Sequence, residues 1–294
     1  MTPDRHPDRH FDRRLHAYRP DLADEALRGQ VEAERYVIGT PARIAVPVAD
    51  LRPRADMACG LDTQLLLGED VQVFERAHGW AWVKAVLDGY VGYLPETALT
   101  PIEAPTTHWV NVPRSFLYNG ADLRFPNAHA ISMGSRLTVV GETETRGTRY
   151  FLLQDGRAVI ANHCASLGEP AGADYVAIAS RFLETPYLWA GRSGLGIDCS
   201  GLVQLALHMA GLEAPRDSDM QAAGLGSPIA REELRRGDLV FWKGHVGMME
   251  DEATLLHANG HTMSVAREDL NAAIERIGWL YEQPTGYRRL DRIA

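Results

Sequence analysis

Two stretches of this chain repeat one another, and that duplication confines its first half to a small fold that can be built twice. Gly68-Glu69-Asp70-Val71-Gln72-Val73 is matched by Gly134-Ser135-Arg136-Leu137-Thr138-Val139, an offset of 66 residues. Asp88-Gly89-Tyr90-Val91-Gly92 is matched by Asp155-Gly156-Arg157-Ala158-Val159, an offset of 67, so one residue has been inserted between the two landmarks. Within each copy, short alternating runs such as Val71-Gln72-Val73-Phe74 and Trp80-Ala81-Trp82-Val83 read as half-buried strands, and Asp88-Gly89 is a hairpin-turn signal. A unit of about 60 residues with five or six short strands favours a small barrel, because closure removes most exposed strand edges. The alternative is two unrelated β modules that share turn chemistry. Trp80 and Trp82 are expected at barrel core and rim rather than in a ligand box. Residues 1–40 precede the first copy as a polar N-terminal arm, helix-compatible around Leu22–Tyr36. The copies are placed at 41–105 and 106–169.

At 294 residues the chain has room for two or three domains. With 45% hydrophobic and 23% charged residues it has an ordinary globular composition. A net charge of -9 argues against a nucleic-acid partner, which requires clustered Lys and Arg. Cys59, Cys164 and Cys199 are too few and too scattered for a disulfide framework or a four-cysteine zinc site, and an odd count fits a reducing compartment. Met1–Pro20 carries Asp, Arg and His without an apolar signal region, and no apolar run reaches the roughly 18 residues of a membrane span. A cytoplasmic monomer with no membrane partner and no cofactor is expected.

After Leu167-Gly168-Glu169-Pro170 the pattern changes. A helix is expected over Asp174–Leu183 and another over Ser200–Ala210. Four strand-like runs follow: Leu239–Trp242, Val246–Glu250, Thr254–His257 and Met263–Val265. Helices followed by such strands indicate an α+β domain, placed at 170–294. Its informative segment is Gly196-Ile197-Asp198-Cys199-Ser200-Gly201, which puts Cys199 in the first turn of a helix. There the dipole and unpaired N–H groups favour a thiolate, and the same N–H groups suit an oxyanion. A lone cysteine at a helix start is more often a small buried hydrophobe. The partners raise its standing: His245 opens one strand and His257 lies on the next, so neighbouring antiparallel strands can bring them together. Cys199 as nucleophile, His245 as base and then acid, and His257 as orienter form a triad. A zinc site from these three residues is the weaker alternative, since the short paired spacings of metal ligands are absent. Two ordinary core histidines are the other. His6, His10, His16, His78, His108, His129, His163, His208 and His261 have no comparable setting, and Cys59 and Cys164 are expected to be inert.

These motifs resemble the NlpC/P60 family of cell-wall cysteine peptidases. The resemblance rests on Thr185-Pro186-Tyr187-Leu188-Trp189-Ala190-Gly191, Asp198-Cys199-Ser200-Gly201, Arg236-Gly237-Asp238-Leu239, Gly244-His245-Val246-Gly247 and His257, over most of residues 172–285. It implies a papain-like catalytic fold. The first 170 residues are similar to the tandem bacterial SH3-like domains of the γ-D-glutamyl-L-diamino acid endopeptidases (dipeptidyl-peptidase VI type). Here Gln64-Leu65-Leu66-Leu67-Gly68-Glu69 and Gly89-Tyr90-Val91-Gly92-Tyr93 carry the likeness.

By that resemblance Tyr187 lies near the oxyanion, Trp189 walls the groove, and Asp198 and Ser200 contact the peptide. Arg216, Asp217 and Ser218 recognise the D-Glu portion. Tyr90 and Asp62, with Glu69 in reserve, bind the free amine of the substrate. The second module lacks the aromatic pair and is expected to be structural. The implied activity is cleavage of the γ-D-glutamyl–diamino acid bond (diaminopimelate or lysine) in short murein peptides with a free N-terminal L-Ala, as in murein peptide recycling. The rivals are an exported hydrolase of intact wall and a non-catalytic wall-binding protein.

Overall fold

A computed structural model describes residues 11–290, so His6 and His10 lie outside the described residues. The chain divides into two compact units, 1–103 and 104–294.

In the first unit five antiparallel strands lie in the order Val91–Pro95, Trp80–Ala85, Asp70–Ala77, Thr40–Ile44, Leu99–Thr100, beside a two-stranded sheet of Val48–Leu51 and Thr63–Leu66. The alternation seen in the sequence sets the faces: Val71 and Val73 enter the core with Ile44, Leu51, Leu65, Val83 and Leu94, while Gln72 is only half-buried. Trp82 is 4% exposed and packs with Leu22 and Phe74 rather than in the barrel core, Trp80 is half-buried, and both line a cavity with Arg19, Glu75 and Tyr93.

The stretch Leu22–Tyr36, helix-compatible in sequence, forms no α-helix. Leu22–Asp24 and Arg35–Val37 pair as parallel strands, with one 3-10 turn at Glu25–Leu27. Two causes are visible. Gly29 takes a left-handed φ of 79°, which breaks a helix there. Ala17 and Leu22 are also drawn into an apolar cluster with Phe74, Trp82 and Val91. Tertiary packing therefore overrides a weak local propensity, and residues 17–37 are part of the barrel unit rather than a free arm.

The second unit opens with the repeat, and the correspondence reaches the irregularities. Strand Thr40–Ile44 pairs with Asp70–Ala77 and Leu99–Thr100; His108–Val110 pairs with Arg136–Leu137 and Cys164–Ser166. A 3-10 turn precedes the closing strand in both, Glu96–Ala98 and Ala161–His163. The register shifts between Val73 and Glu75 in one copy and between Val139 and Gly141 in the other, positions 66 residues apart. Gly68 and Gly134 both take left-handed φ, at 80° and 87°, which explains why the turn residue recurs. Shared order, pairing and bulge favour duplication over coincidence.

The remainder is a six-stranded antiparallel sheet ordered Ser227–Pro228, Gly286–Arg289, Leu239–Trp242, His245–Met249, Thr254–Asn259, Ser264–Asp269. Alternate residues feed two layers. Leu239, Phe241, Val246, Met248, Leu256 and Ala258 pack in one cluster with the helix Cys199–Met209. Val240, Trp242, Met249 and Leu255 pack with Leu270, Ala273, Ile274 and Ile277 of the helix Leu270–Leu280. Both faces being covered, these strands read as continuous apolar runs. In the helix Cys199–Met209 every residue but His208 is buried, as befits a helix apolar on all sides.

The second module is joined to this sheet and its helices by packing as well as by the chain. Met133 belongs to the cluster around the helix Cys199–Met209, and Trp109 packs against it. The Gly194 N–H donates to Ser132 Oγ at 2.8 Å, and Arg114 Nη1 donates to the Gly194 carbonyl at 3.2 Å. Gly194 is required by space: a Cβ there would collide with the Pro113 carbonyl. Overpacking of this kind costs about 1–3 kcal/mol. Gly194→Ala should therefore lower the thermal midpoint of the second unit by several degrees; an unchanged melting curve would refute the tight docking.

Candidate active site

The helix that begins at Cys199 is fixed from its first turn. Asp198, in extended conformation, caps it by accepting the Gly201 N–H at 2.7 Å. Arg216 grips the same carboxylate through two nitrogens, at 3.0 and 2.8 Å, and also donates to Ser200 Oγ at 2.9 Å and the Gly191 carbonyl at 3.2 Å. Gln221 Nε2 donates to the Ser200 carbonyl at 2.9 Å. Arg216 is 1% exposed. The residue that the resemblance assigns to D-Glu recognition thus spends its guanidinium on the base of the nucleophile helix. Asp217 caps the short helix Ser218–Gly224 by position, without a side-chain cap bond.

Cys199 itself is 6% exposed. Burial, reinforced by the Asp198 carboxylate, pushes its thiol up to about 12; donation from the Val246 and Ser200 N–H groups and the Arg216 charge pull only partly the other way. A helix start favours the anion, but loss of water outweighs it.

His245 and His257 stand on adjacent antiparallel strands. The register Met248↔Leu256 and Met249↔Leu255 makes them diagonal neighbours on one face. His245 Nε2 and His257 Nδ1 lie 2.9 Å apart. The protein around its ring pushes His245 down to about 3, with repulsion from His257 and Arg276 adding to desolvation, so it is a neutral imidazole at neutral pH. Its ring also sits against Trp242, centroids 5.6 Å apart. Val246, whose N–H reaches the Cys199 sulfur, is the next residue along the strand. His245 is thus next along the strand to a residue beside Cys199, and His257 joins it across the strand boundary.

Tyr187 is half-buried, with its hydroxyl raised by desolvation and then by the neighbouring Cys199 and Asp198, and it stays a neutral donor. The Tyr281 hydroxyl acts on it in the same direction, a neighbour that sequence reasoning missed. Trp189 is 69% exposed and precedes Ala190, held at a left-handed φ of 62°.

Tyr90 and Asp62 belong to the first unit and are described within it. Tyr90 is buried in the barrel core, while Asp62 is half-buried, its N–H donating to the Leu51 carbonyl. Glu69 Oε2 accepts the Leu66 N–H at 3.1 Å across its own turn. Also missed were Glu268 and Arg276, which stand behind His257: Glu268 Oε2 is 3.2 Å from His257 Nε2 and 2.6 Å from Arg276 Nη2. No local motif marks Glu268; only strand register brings it there.

Cys59, Cys164 and Cys199 are all free thiols, and burial pushes Cys164 up to about 12. Among the described residues no group of three or more His, Cys, Asp or Glu is placed to hold a metal ion, and no helix is long and apolar enough to cross a membrane.

Residues 184–277 match the NlpC/P60 family, and residues 51–99 match the bacterial dipeptidyl-peptidase Sh3 domain. The second repeat lies outside both matches. The chain is 30% identical over 241 residues to a gamma-D-glutamyl-L-lysine dipeptidyl-peptidase of Bacillus cereus, covering 72% of this chain and 71% of that protein. It is 26% identical over 270 residues to dipeptidyl-peptidase 6 of Lysinibacillus sphaericus, covering 82% and 99%. The crystal structure of an NlpC/P60 family protein from Bacillus cereus superposes with a TM-score of 0.71 at 26% identity, covering 85% of this chain and 99% of that one. The chain belongs to the NlpC/P60 peptidase family and carries a bacterial dipeptidyl-peptidase SH3 domain in front of its catalytic domain.

Two outcomes follow from the site. With the thiol pushed up, alkylation of Cys199 by iodoacetamide should be slow at pH 7 and keep climbing through pH 9 as thiolate forms; a rate flat from pH 5 to 9 would mean a resting thiolate after all. Arg216→Ala leaves the buried Asp198 charge unpaired, a loss of about 3–5 kcal/mol. The midpoint of chemical denaturation should fall accordingly, and a change under about 1 kcal/mol would remove Arg216 from the helix base.

Proposed function

Taking membership of the NlpC/P60 family as the premise, we propose that the chain is a cysteine peptidase. It hydrolyses the γ-D-glutamyl–diamino acid bond of short peptidoglycan peptides that carry a free N-terminal L-Ala. The observation that supports the chemistry is the 2.9 Å contact of His245 with His257. If His245 donates its Nε2–H to His257, its Nδ1 is left to take the thiol proton.

The resting pair is neutral on both sides, so proton transfer accompanies attack. Cys199 Sγ bonds to the scissile carbonyl carbon while its proton passes to His245. The N–H groups at the helix start and the Tyr187 hydroxyl receive the oxyanion. His245 then gives the proton to the departing amine of the diamino acid, and water, deprotonated by His245, cleaves the thioester to free the acid and the thiol.

Substrate choice is supported by the names of the relatives, one of them a gamma-D-glutamyl-L-lysine dipeptidyl-peptidase. Within this reading the catalytic domain is papain-like and the second repeat is a second SH3-like barrel of structural use. Trp189 walls the groove, and Asp217 and Ser218 hold the D-Glu portion; Tyr90, buried in the core of the first unit, is not available to a ligand. Three free thiols are in keeping with a reducing, cytoplasmic setting and recycling of murein peptides by a monomer.

The test is release of the diamino acid from L-Ala-γ-D-Glu-diaminopimelate and from its L-Lys counterpart, each with free and acetylated amine. Cleavage of the free peptides, a loss of about 10⁴-fold or more in Cys199→Ala, and resistance of the acetylated forms are expected. Equal cleavage of blocked and free peptides would sink the amine requirement, and an active Cys199→Ala would sink the mechanism.

A further inference from the structure

The dyad of histidines has a carboxylate behind it. His257 pairs with Ala266 and Leu255 with Glu268 across the next strand boundary, so Glu268 stands diagonal to His257 on the face that also bears His245. Three neighbouring strands thus place His245, His257 and Glu268 in a row. The helix Leu270–Leu280 lies over that face and supplies Arg276, whose Nε and Nη2 meet the two carboxylate oxygens of Glu268 at 2.9 and 2.6 Å. His257 is 1% exposed, and its buried Nε2 lies 3.2 Å from Glu268 Oε2 and makes no hydrogen bond of good geometry.

A neutral imidazole carries one N–H, and which nitrogen holds it decides the direction of every bond in the row. With the proton on Nε2 facing the Glu268 carboxylate, His257 Nδ1 is an acceptor. It takes the Nε2–H of His245, and His245 Nδ1 keeps its lone pair. With the proton on His257 Nδ1 the row reverses: His245 Nε2 becomes the acceptor, its hydrogen sits on Nδ1, and the ring cannot act as a base through that atom. A carboxylate two side chains from the base nitrogen therefore selects between a working and an idle dyad.

We propose that Glu268, held in place by Arg276, is a positioning residue that sets the tautomer of His257 and, through it, keeps His245 Nδ1 free to accept the thiol proton. The proposal rests on the cysteine-peptidase reading. The contacts of His257 and Arg276 also hold Glu268 well below the usual carboxylate range, so it stays an anion wherever the imidazoles are neutral. The charged or titratable groups acting on His245 are His257 on the adjacent strand, Glu268 on the strand beyond it and Arg276 on the covering helix.

The experiment reads the tautomers directly and so does not depend on knowing the substrate. Full-length protein with 15N-labelled histidine is examined by long-range 1H–15N NMR at pH 7, for wild type, Glu268→Gln and Glu268→Asp. Wild type should show Nε2–H for both His245 and His257. Glu268→Gln should shift both toward Nδ1–H and lower kcat on the tripeptide roughly 10–100-fold with KM held, and Glu268→Asp should recover part of both. Wild-type tautomers in a folded Glu268→Gln variant, or Nδ1–H in the wild type, would overturn the proposal. An inactive wild type with the expected tautomers would instead overturn the reading of function. Should Glu268→Gln not fold, Arg276→Gln, which frees the carboxylate without removing it, should give a smaller shift of the same sign, and no shift there would also count against the proposal.

Discussion

Asp198 and Arg216 form the contact on which the catalytic architecture depends. One carboxylate caps the helix that begins at the nucleophile, and one guanidinium ties that cap to Ser200 and to the Gly191 carbonyl. Both ions are buried, so each is tolerable only because the other is present. A pair of this kind contributes little net stability compared with apolar packing of equal volume, but it admits few geometries. The direction of the helix, the place of the sulfur and the aim of the first N–H groups are settled together.

The same burial gives the site its electrostatic character. Thiol and imidazole are pushed in opposite directions, one up and the other down, and both changes favour the uncharged form. An enclosed site that rests uncharged avoids the cost of holding separated ions away from water. It then depends on substrate binding and on correctly oriented dipoles to make charge separation cheap at the moment of attack. The row from Arg276 through Glu268 to His257 supplies such orientation without exposing the dyad to solvent.

Much of this was legible in the chain because it is local. The recurring glycines at Gly68 and Gly134 mark turns of the same hand, and the Asp198-Cys199-Ser200-Gly201 run marks a capped helix start. The apolar run Leu239–Trp242 appeared at its expected bounds. What was not legible depends on distant partners. The polar stretch after Leu22 looked helical until Phe74 and Trp82 were there to claim its apolar residues. The helix Leu270–Leu280 had its signature in Asp269, Leu270, Ala273, Ile274 and Ile277, yet a stripe so short gains meaning only against the sheet face it covers. Arg216 looked available to a ligand because its buried partner lies 18 residues away in sequence. Glu268 was invisible for the same reason: a register between strands, not a motif, makes it a neighbour of His257.

The docking of the second repeat on Gly194 changes what counts as a separable piece of this protein. Met133 fills a place in the core around the nucleophile helix, and Ser132 satisfies a backbone N–H in the hairpin that leads into it. A fragment cut at the linker near residue 170 would keep every triad residue but carry an open apolar socket and an orphaned N–H five residues before the cysteine. The boundary visible in the sequence as a loop is therefore not a boundary of cooperativity. Shuffling this peptidase onto other targeting modules, as a bead on a string, would have to carry the neighbouring β module along with it.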